Sequence, residues 1–169
     1  NIFTNIGLNA SYDDLRTLSN ASSSLKKQSG EFTEISADYG FRLDLRNRKF
    51  MPTDGYVSRF YQEIPLYSEQ PHIKNSISSN HYKEVSEDII GALKFSITAI
   101  NGIEGEDVKL SQRLSLPSRR LRGFESGRVG PKDGADYIGG NYATALNFAT
   151  TLPGLLPDLE NIDFSFFVD

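Results

Sequence analysis

The residues with the clearest chemical potential lie in one arginine- and glycine-rich segment, residues 120–141. Its Leu121-Arg122-Gly123-Phe124 stretch places a guanidinium beside an aromatic ring, and the glycines that follow allow a tightly packed backbone. Arg122 can therefore set a permanent positive charge against a polar wall. The alternative is a solvated loop, and the spacing of the residues alone does not decide between the two.

Conventional catalytic and metal-binding patterns are absent from the sequence. It has no cysteine, and it lacks nucleophile-elbow, phosphate-loop, dinucleotide-loop and zinc-helix motifs. The two histidines, His72 and His81, have no metal-ligand spacing, and we expect them to be exposed loop or strand-end residues. Two acidic pairs lack a full set of oxygen ligands for calcium and are expected to be solvated loop charge: Asp13-Asp14 and Glu104/Glu106. We therefore expect no enzyme activity, no catalytic residue, no metal and no cofactor.

Length and charge narrow the classes of protein to which the chain can belong. The chain has 169 residues, enough for one domain, with a net charge of −4 and a pI near 5.2. An acidic chain argues against nucleic acid as the main partner, because phosphate binding requires a basic face. No apolar run approaches the roughly 20 residues of a spanning helix, but this hydropathy is compatible with a membrane β-barrel. Because the sequence begins at Asn1 and stops at Asp169 inside a strand-like run, we expect a piece of a longer chain.

Alternation of apolar and polar residues is the dominant pattern, and it predicts strands with one apolar face. The odd-numbered residues from Thr33 to Leu45 are mostly apolar, whereas the even-numbered ones from Glu34 to Asp44 are polar or glycine. Similar runs give about seven strands, most of them near the 9–11 residues of a tilted membrane strand: 2–10, 33–45, 56–66, 80–89, 93–99, 142–148 and 162–169. No segment has a convincing helical period, and residues 12–22 are the best candidate.

The predicted connections alternate in length along the chain. Long ones cover 12–31, 67–79 and 103–140, and shorter ones fall at Asp54-Gly55, at Gly91-Ala92 and over 154–161. In an up-and-down meander, alternate connections lie at the same end, so all the long loops fall together. This asymmetry is typical of outer-membrane barrels, whereas a soluble β-sandwich or lipocalin-like binding module gives no reason for it. We therefore predict an all-β, antiparallel, up-and-down transmembrane β-barrel.

The pattern of residues 121–141 resembles the sixth extracellular loop of the BamA family of outer-membrane-protein assembly factors, also called the bacterial surface antigen family. Three elements carry the resemblance: Leu121-Arg122-Gly123-Phe124, then Gly130-Pro131-Lys132, then Gly139-Gly140-Asn141. Phe50 to Gly55 is similar to a turn of the family, and Phe166 to Asp169 looks like one of its strands. The tetrapeptide alone is shared with the TamA translocation module, two-partner secretion transporters and organellar import barrels.

The resemblance implies which part of a larger barrel is present. The family barrel has sixteen strands after a series of POTRA domains. Residues 1–169 would then be a partial barrel domain holding about the seventh to the thirteenth strand, with residues 103–140 folding inward as a loop. The resemblance also implies that Arg122 contacts an acidic wall residue, here Asp169. The family often has an inward glutamate where this chain has Ala149, with Asn147 as the nearest inward polar residue, so the contact is expected to rest on Asp169.

The function implied by the resemblance is insertion and folding of β-barrel proteins in the bacterial outer membrane. The implied partners are outer-membrane lipid, nascent β-barrel clients, and accessory lipoproteins held through POTRA domains that this sequence lacks. Two alternatives share the loop tetrapeptide, namely a two-partner-type secretion pore and a TamA-like translocation module. The number of POTRA domains upstream would separate an assembly factor from a secretion pore.

Overall fold

The chain forms one seven-stranded antiparallel sheet that carries a long loop on one face. The computed structural model describes residues 1–153 and 163–169. The sheet strands follow in chain order: β1 (Ile2–Leu15), β2 (Gly30–Asp44), β3 (Gly55–Ser68), β4 (His72–Ser86), β5 (Ile89–Gly102), β8 (Tyr142–Leu152) and β9 (Phe164–Val168). A short helix α1 (Ser23–Lys27) follows β1, and the long loop contains a 3₁₀ turn (Leu110–Gln112) and a two-stranded hairpin, β6 (Lys132–Asp133) and β7 (Asp136–Tyr137).

One face of the sheet is mostly apolar and is exposed in the described part of the chain. The register places Phe41 opposite both Thr4 and Phe60, so that the apolar residues of successive strands line up on the same side. Many of them are widely exposed: Ile6 is 87% exposed, Leu8 75%, Leu146 58% and Phe166 69%. Water disfavours so large a contiguous apolar surface, whereas lipid does not. The predicted alternation and the antiparallel barrel-wall fold are confirmed.

The opposite face is polar and hydrogen-bonded across the strands. On this face Ser36 Oγ donates to Glu63 Oε1 at 2.9 Å, and Asn9 Nδ2 donates to Asp38 Oδ1 at 2.8 Å. Arg42 and Arg46 both bind the carboxylate of Asp44. These polar groups therefore satisfy one another's hydrogen-bonding capacity. We call this polar side of the sheet the inner face.

Two predicted connections are wrong. The pattern places a long connection over 67–79 and a tight link at Gly91-Ala92, but β4 begins at His72 and the tight turn falls at Glu87 and Asp88. The polar residues at the start of β4 hide its alternation, yet its backbone pairs with both β3 and β5. Only 16–29 and 103–141 remain long at their end of the sheet, so the predicted asymmetry holds for two of three loops.

Other local predictions also need correction. His72 is 2% exposed, not surface-exposed, because it is an inner-face residue with its Nε2 3.8 Å from Glu34 Oε1. The helical candidate 12–22 begins in β1, and the helix lies at Ser23–Lys27 instead.

The predicted connection over 154–161 and the start of the last strand at Ile162 lie outside the described residues. Within the described residues, no helix is long and apolar enough to cross a bilayer.

The turn that leads into β3 requires a glycine, and this allows a prediction about stability. Gly55 has a φ of +90°, and an added Cβ would lie 2.1 Å from the backbone oxygen of Leu45. Gly55→Ala is therefore expected to lower the free energy of unfolding by about 1–3 kcal/mol, measured by urea titration of the full-length protein in detergent. Gly91→Ala is the matched control, because its nearest neighbour would be a Val85 methyl group at 3.6 Å. Equal losses for the two variants would contradict the strained-turn explanation.

Candidate functional site

The long loop between β5 and β8 folds over the inner face and is held there at several points. Asn147, an inward residue of β8, donates its Nδ2 to the backbone oxygen of Arg120 at 2.7 Å. Val108 is fully buried, and Lys109 is only 4% exposed. A β-bridge between Leu114 and Gly140 closes the base of the loop. The loop is therefore packed against the wall, as the resemblance implies.

Arg122 binds Asp169 through a bidentate ion pair. Its Nε donates to Asp169 Oδ2 at 2.7 Å, and its Nη2 donates to Oδ1 at 2.5 Å. The backbone N–H of Arg122 adds a third bond to Oδ2 at 2.9 Å. Planar, two-point contacts of this kind are the strongest that arginine makes with a carboxylate. Hydrogen bonding to Asp169 also raises the pKa of Arg122, which keeps its positive charge.

Two wall residues complete the contact and were not predicted as partners of Arg122. The Arg122 guanidinium carbon lies 3.5 Å from the centre of the Phe167 ring, a cation–π distance. Asn147 Nδ2 donates to Asp169 Oδ1 at 2.8 Å, so the amide bridges the carboxylate and the loop backbone. The side chain of Asp169 is consequently only 4% exposed. We call Arg122, Asp169, Phe167 and Asn147 the arginine clasp.

The remaining residues of the loop motif shape the backbone rather than touch the clasp carboxylate. Gly123 and Gly130 have φ values of +86° and +128°, which other residues rarely adopt. Gly139 has a φ of +68°, and an added Cβ there would meet the backbone oxygen of Leu114 at 3.0 Å. Gly140 pairs with Leu114, and the Pro131 oxygen accepts a bond from Ile138 N–H at 3.0 Å. Leu121 is half-buried.

Phe124 does not take the position next to Arg122 that the tetrapeptide suggests. Its ring is 56% exposed, and the guanidinium lies over Phe167 instead. In an irregular loop, residues two positions apart such as Arg122 and Phe124 need not point to the same side. In a strand they do, so Phe167 and Asp169 share the inner face. The alternation of the last strand therefore identifies the aromatic partner better than the tetrapeptide does.

A second anchor joins the long loop to the end of β1 and the start of β2. Lys109 Nζ lies 2.9 Å from Asp13 Oδ2 and 4.1 Å from the centre of the Phe32 ring. The expectation that Asp13 is solvated loop charge is therefore wrong, because it neutralises a buried ammonium group. Asp13 and Lys109 are far apart in sequence, so no spacing could have revealed the pair.

The small hairpin of the long loop contacts the connection between β1 and β2. Asp133 Oδ2 accepts a bond from Ser24 N–H at 2.9 Å, and Asp136 Oδ2 accepts one from Ser22 N–H at 2.9 Å. Hydrogen bonds from Ser24 lower the pKa of Asp133. The two carboxylates satisfy backbone donors that the first turn of α1 would otherwise leave free.

These features define a class of protein: a transmembrane β-barrel wall of up-and-down antiparallel strands, apolar towards lipid, with a long loop clasped to its inner face. The Omp85 superfamily domain model matches residues 2–169, and the chain belongs to this superfamily. The family expected from the loop motif is thereby confirmed, and the wall belongs to an outer-membrane barrel.

Individual relatives agree with this assignment. The chain is 28% identical over 147 residues to a SAM50-like protein of Schizosaccharomyces pombe, covering 83% of this chain and 30% of that protein. It is 26% identical over 138 residues to the human sorting and assembly machinery component 50 homolog, covering 79% and 29% of the two chains. The crystal structure of BamA from Haemophilus ducreyi lacking POTRA domains 1–3 superposes with a TM-score of 0.86 at 20% identity, over 99% of this chain and 38% of that one. The chain thus spans about a third of the length of these relatives.

Proposed function

We propose that the full-length protein is an insertase that folds β-barrel proteins into an outer membrane. The observation that carries the proposal is the arginine clasp, which fixes a long loop to the inner face of the barrel wall. Membership of the Omp85 superfamily and the names of the relatives support it. We propose nascent β-barrel clients and membrane lipid as the partners, and accessory subunits bound through domains that precede the barrel.

The proposed activity is non-enzymatic, because folding a barrel makes no covalent bond. A client strand gains stability by pairing its backbone with an exposed strand edge, and the barrel supplies such an edge where it opens. The wall formed by these strands would hold the loop at a fixed position in the lumen, while client strands pair at the open edge of the barrel. We therefore propose that residues 103–140 form a loop that folds inward and stays fixed in the barrel lumen.

The kind of outer membrane is a separate part of the proposal. The loop motif led us to expect a bacterial cell outer membrane, and the structural relative is bacterial. The sequence relatives come from a yeast and from human, and they favour a eukaryotic sorting and assembly barrel as the alternative. Fractionation of the source cells with an antibody against the full-length protein distinguishes the two.

A secretion pore or a TamA-like translocation module remains the alternative activity, since its members share the loop tetrapeptide. Reconstitution of the full-length protein in liposomes separates the activities. A urea-unfolded client barrel is diluted onto the vesicles, and its folding is followed by the mobility shift of folded barrels on a cold gel. We expect faster insertion than with empty liposomes. Transfer of the client into the vesicle interior, without acceleration of folding, would contradict the insertase proposal.

A further inference from the structure

A second feature of the loop lies beside the clasp: a cation-lined cavity between the loop and the inner face. The cavity has a volume of about 390 Å³. Its walls are polar or positively charged apart from one alanine, and its lining residues are Asn80, Lys94, Arg119, Arg120, Arg122, Asn147 and Ala149. It is therefore a polar recess with no acidic residue in its lining.

Three of the four cations are not neutralised within the described part of the chain. Arg122 is bound to Asp169, but Lys94, Arg119 and Arg120 take part in none of the ion pairs there. Like charges that converge on one recess repel each other. An anion in the cavity would relieve it.

The inner face presents a row of polar groups to the same cavity. Lys94 lies opposite Asn80 of β4 and opposite Asn147 of β8. Asn147 is occupied by the clasp, but Asn80 Oδ1 is buried without a hydrogen-bond partner among the described residues. Because an amide oxygen accepts hydrogen bonds, this atom suits a donor such as a water or an ammonium group. The cations of the cavity alone therefore favour an anion.

The position of the cavity restricts the source of the anion. Lys94 is five residues from the start of β5, which corresponds to roughly 17 Å along a strand. It faces inward, away from the apolar outer surface. Lipid phosphates lie at the rims of a barrel wall and outside it, so a bilayer headgroup does not reach this depth from the lipid side.

We propose that this cavity is a binding site for a carboxylate of a polypeptide segment that enters the barrel lumen. Arginine forks match planar carboxylates, as the neighbouring Arg122–Asp169 pair demonstrates. An aspartate or glutamate side chain would bind Arg120 and Lys94 in the cavity. The inference rests on the inner-face position of the loop and does not require insertase activity.

Binding of paired peptides to the full-length protein in detergent tests the proposal. The probes are a fluorescent peptide with two adjacent glutamates and its glutamine counterpart, measured by anisotropy at low salt. We expect the glutamate peptide to bind, the glutamine peptide to bind at least ten-fold more weakly, and Arg120→Gln to weaken glutamate binding about ten-fold. The matched control is Arg128→Gln, which removes the same charge from an exposed position of the same loop. Equal binding of the two peptides would overturn the proposal.

A second variant keeps the test decisive if Arg120→Gln alters the loop. Ala149→Glu adds a carboxylate to the cavity wall from the inner face of β8, and it is expected to abolish binding of the glutamate peptide by occupying the site. The cold-gel mobility of the barrel confirms that the variant is folded. Unchanged binding in this folded variant would contradict the location of the site. Displacement of the peptide by inorganic phosphate at an equal concentration would overturn the carboxylate assignment in favour of a phosphate site.

Because the readout is binding, its failure is distinct from failure of the insertase proposal. A full-length protein that inserts clients normally but binds neither peptide contradicts only the carboxylate site. A protein that binds the glutamate peptide but does not accelerate client folding contradicts only the proposed activity.

Discussion

Replacing Arg122 with alanine in the full-length protein is expected to slow insertion of client barrels about ten-fold while the barrel itself still folds. The variant loses both side-chain bonds to Asp169 and the contact with the Phe167 ring. Among the described residues, it also leaves the buried Asp169 carboxylate with two donors, Asn147 and the backbone N–H of residue 122. Because the clasp is the main ionic tie between residues 117–128 and the wall, the loop is expected to leave its position.

Two further variants separate the clasp from a general effect of charge. Arg122→Lys keeps the charge but loses the planar fork, so an intermediate rate is expected. Arg128→Ala is the control, because Arg128 lies in the same loop on the surface, 3.5 Å from Glu125 and 5.7 Å from the centre of the Tyr137 ring, and does not contact Asp169. Insertion is measured with the liposome assay described above. Normal insertion by Arg122→Ala would show that the clasp is not needed for the activity.

Placing an arginine on the apolar face is expected to destabilise the barrel by about 2–4 kcal/mol when it lies near the bilayer midplane. Ile6 suits this test, because it is 87% exposed and lies opposite Tyr39, the centre of the apolar stretch of β2. Ile6→Arg therefore places a charge in lipid, and the loss is measured by urea titration of the full-length protein in lipid vesicles.

The neighbouring residue provides the matched control for this substitution. Asn5 lies on the inner face, where its Nδ2 is 3.4 Å from Asp38 Oδ2. Asn5→Arg introduces the same side chain one position away, next to a carboxylate, and is expected to change stability by less than about 1 kcal/mol. If both substitutions cost the same free energy, the two faces do not differ in environment as we describe.

The faces of the strands could be predicted from sequence because the side-chain period of a strand is two. Once Ile35 is taken as outward, Phe41 must also be outward, and the same rule places Asp169 inward with Phe167. The inward direction of Asp169 therefore followed from the alternation of the last strand alone. Its contact with Arg122 required the family resemblance, since the two residues are joined across 47 positions.

The start of β4 could not be predicted, because its outward residues include Asn75, Ser79 and His81 as well as Ile77. Polar side chains do not weaken backbone pairing, so the strand forms without a clear alternation. The Lys109–Asp13 pair was equally hidden, since it depends on how the long loop folds against the end of β1. The cation-lined cavity has the same origin, because it joins inner-face residues of three strands to a loop.

The central claim is that the sheet faces lipid on one side only, and site-directed labelling tests it most directly. These 169 residues contain no cysteine, so a cysteine introduced along β2 is the single one in this part of the barrel. In the full-length protein it is labelled with a fluorophore and exposed to brominated lipids in vesicles. Two sets are compared: Ile35, Tyr39 and Phe41 on the outer face, and Glu34, Asp38 and Arg42 on the inner face. We expect strong quenching for the first set and little for the second. Equal quenching at neighbouring positions would contradict the account of this chain as a barrel wall.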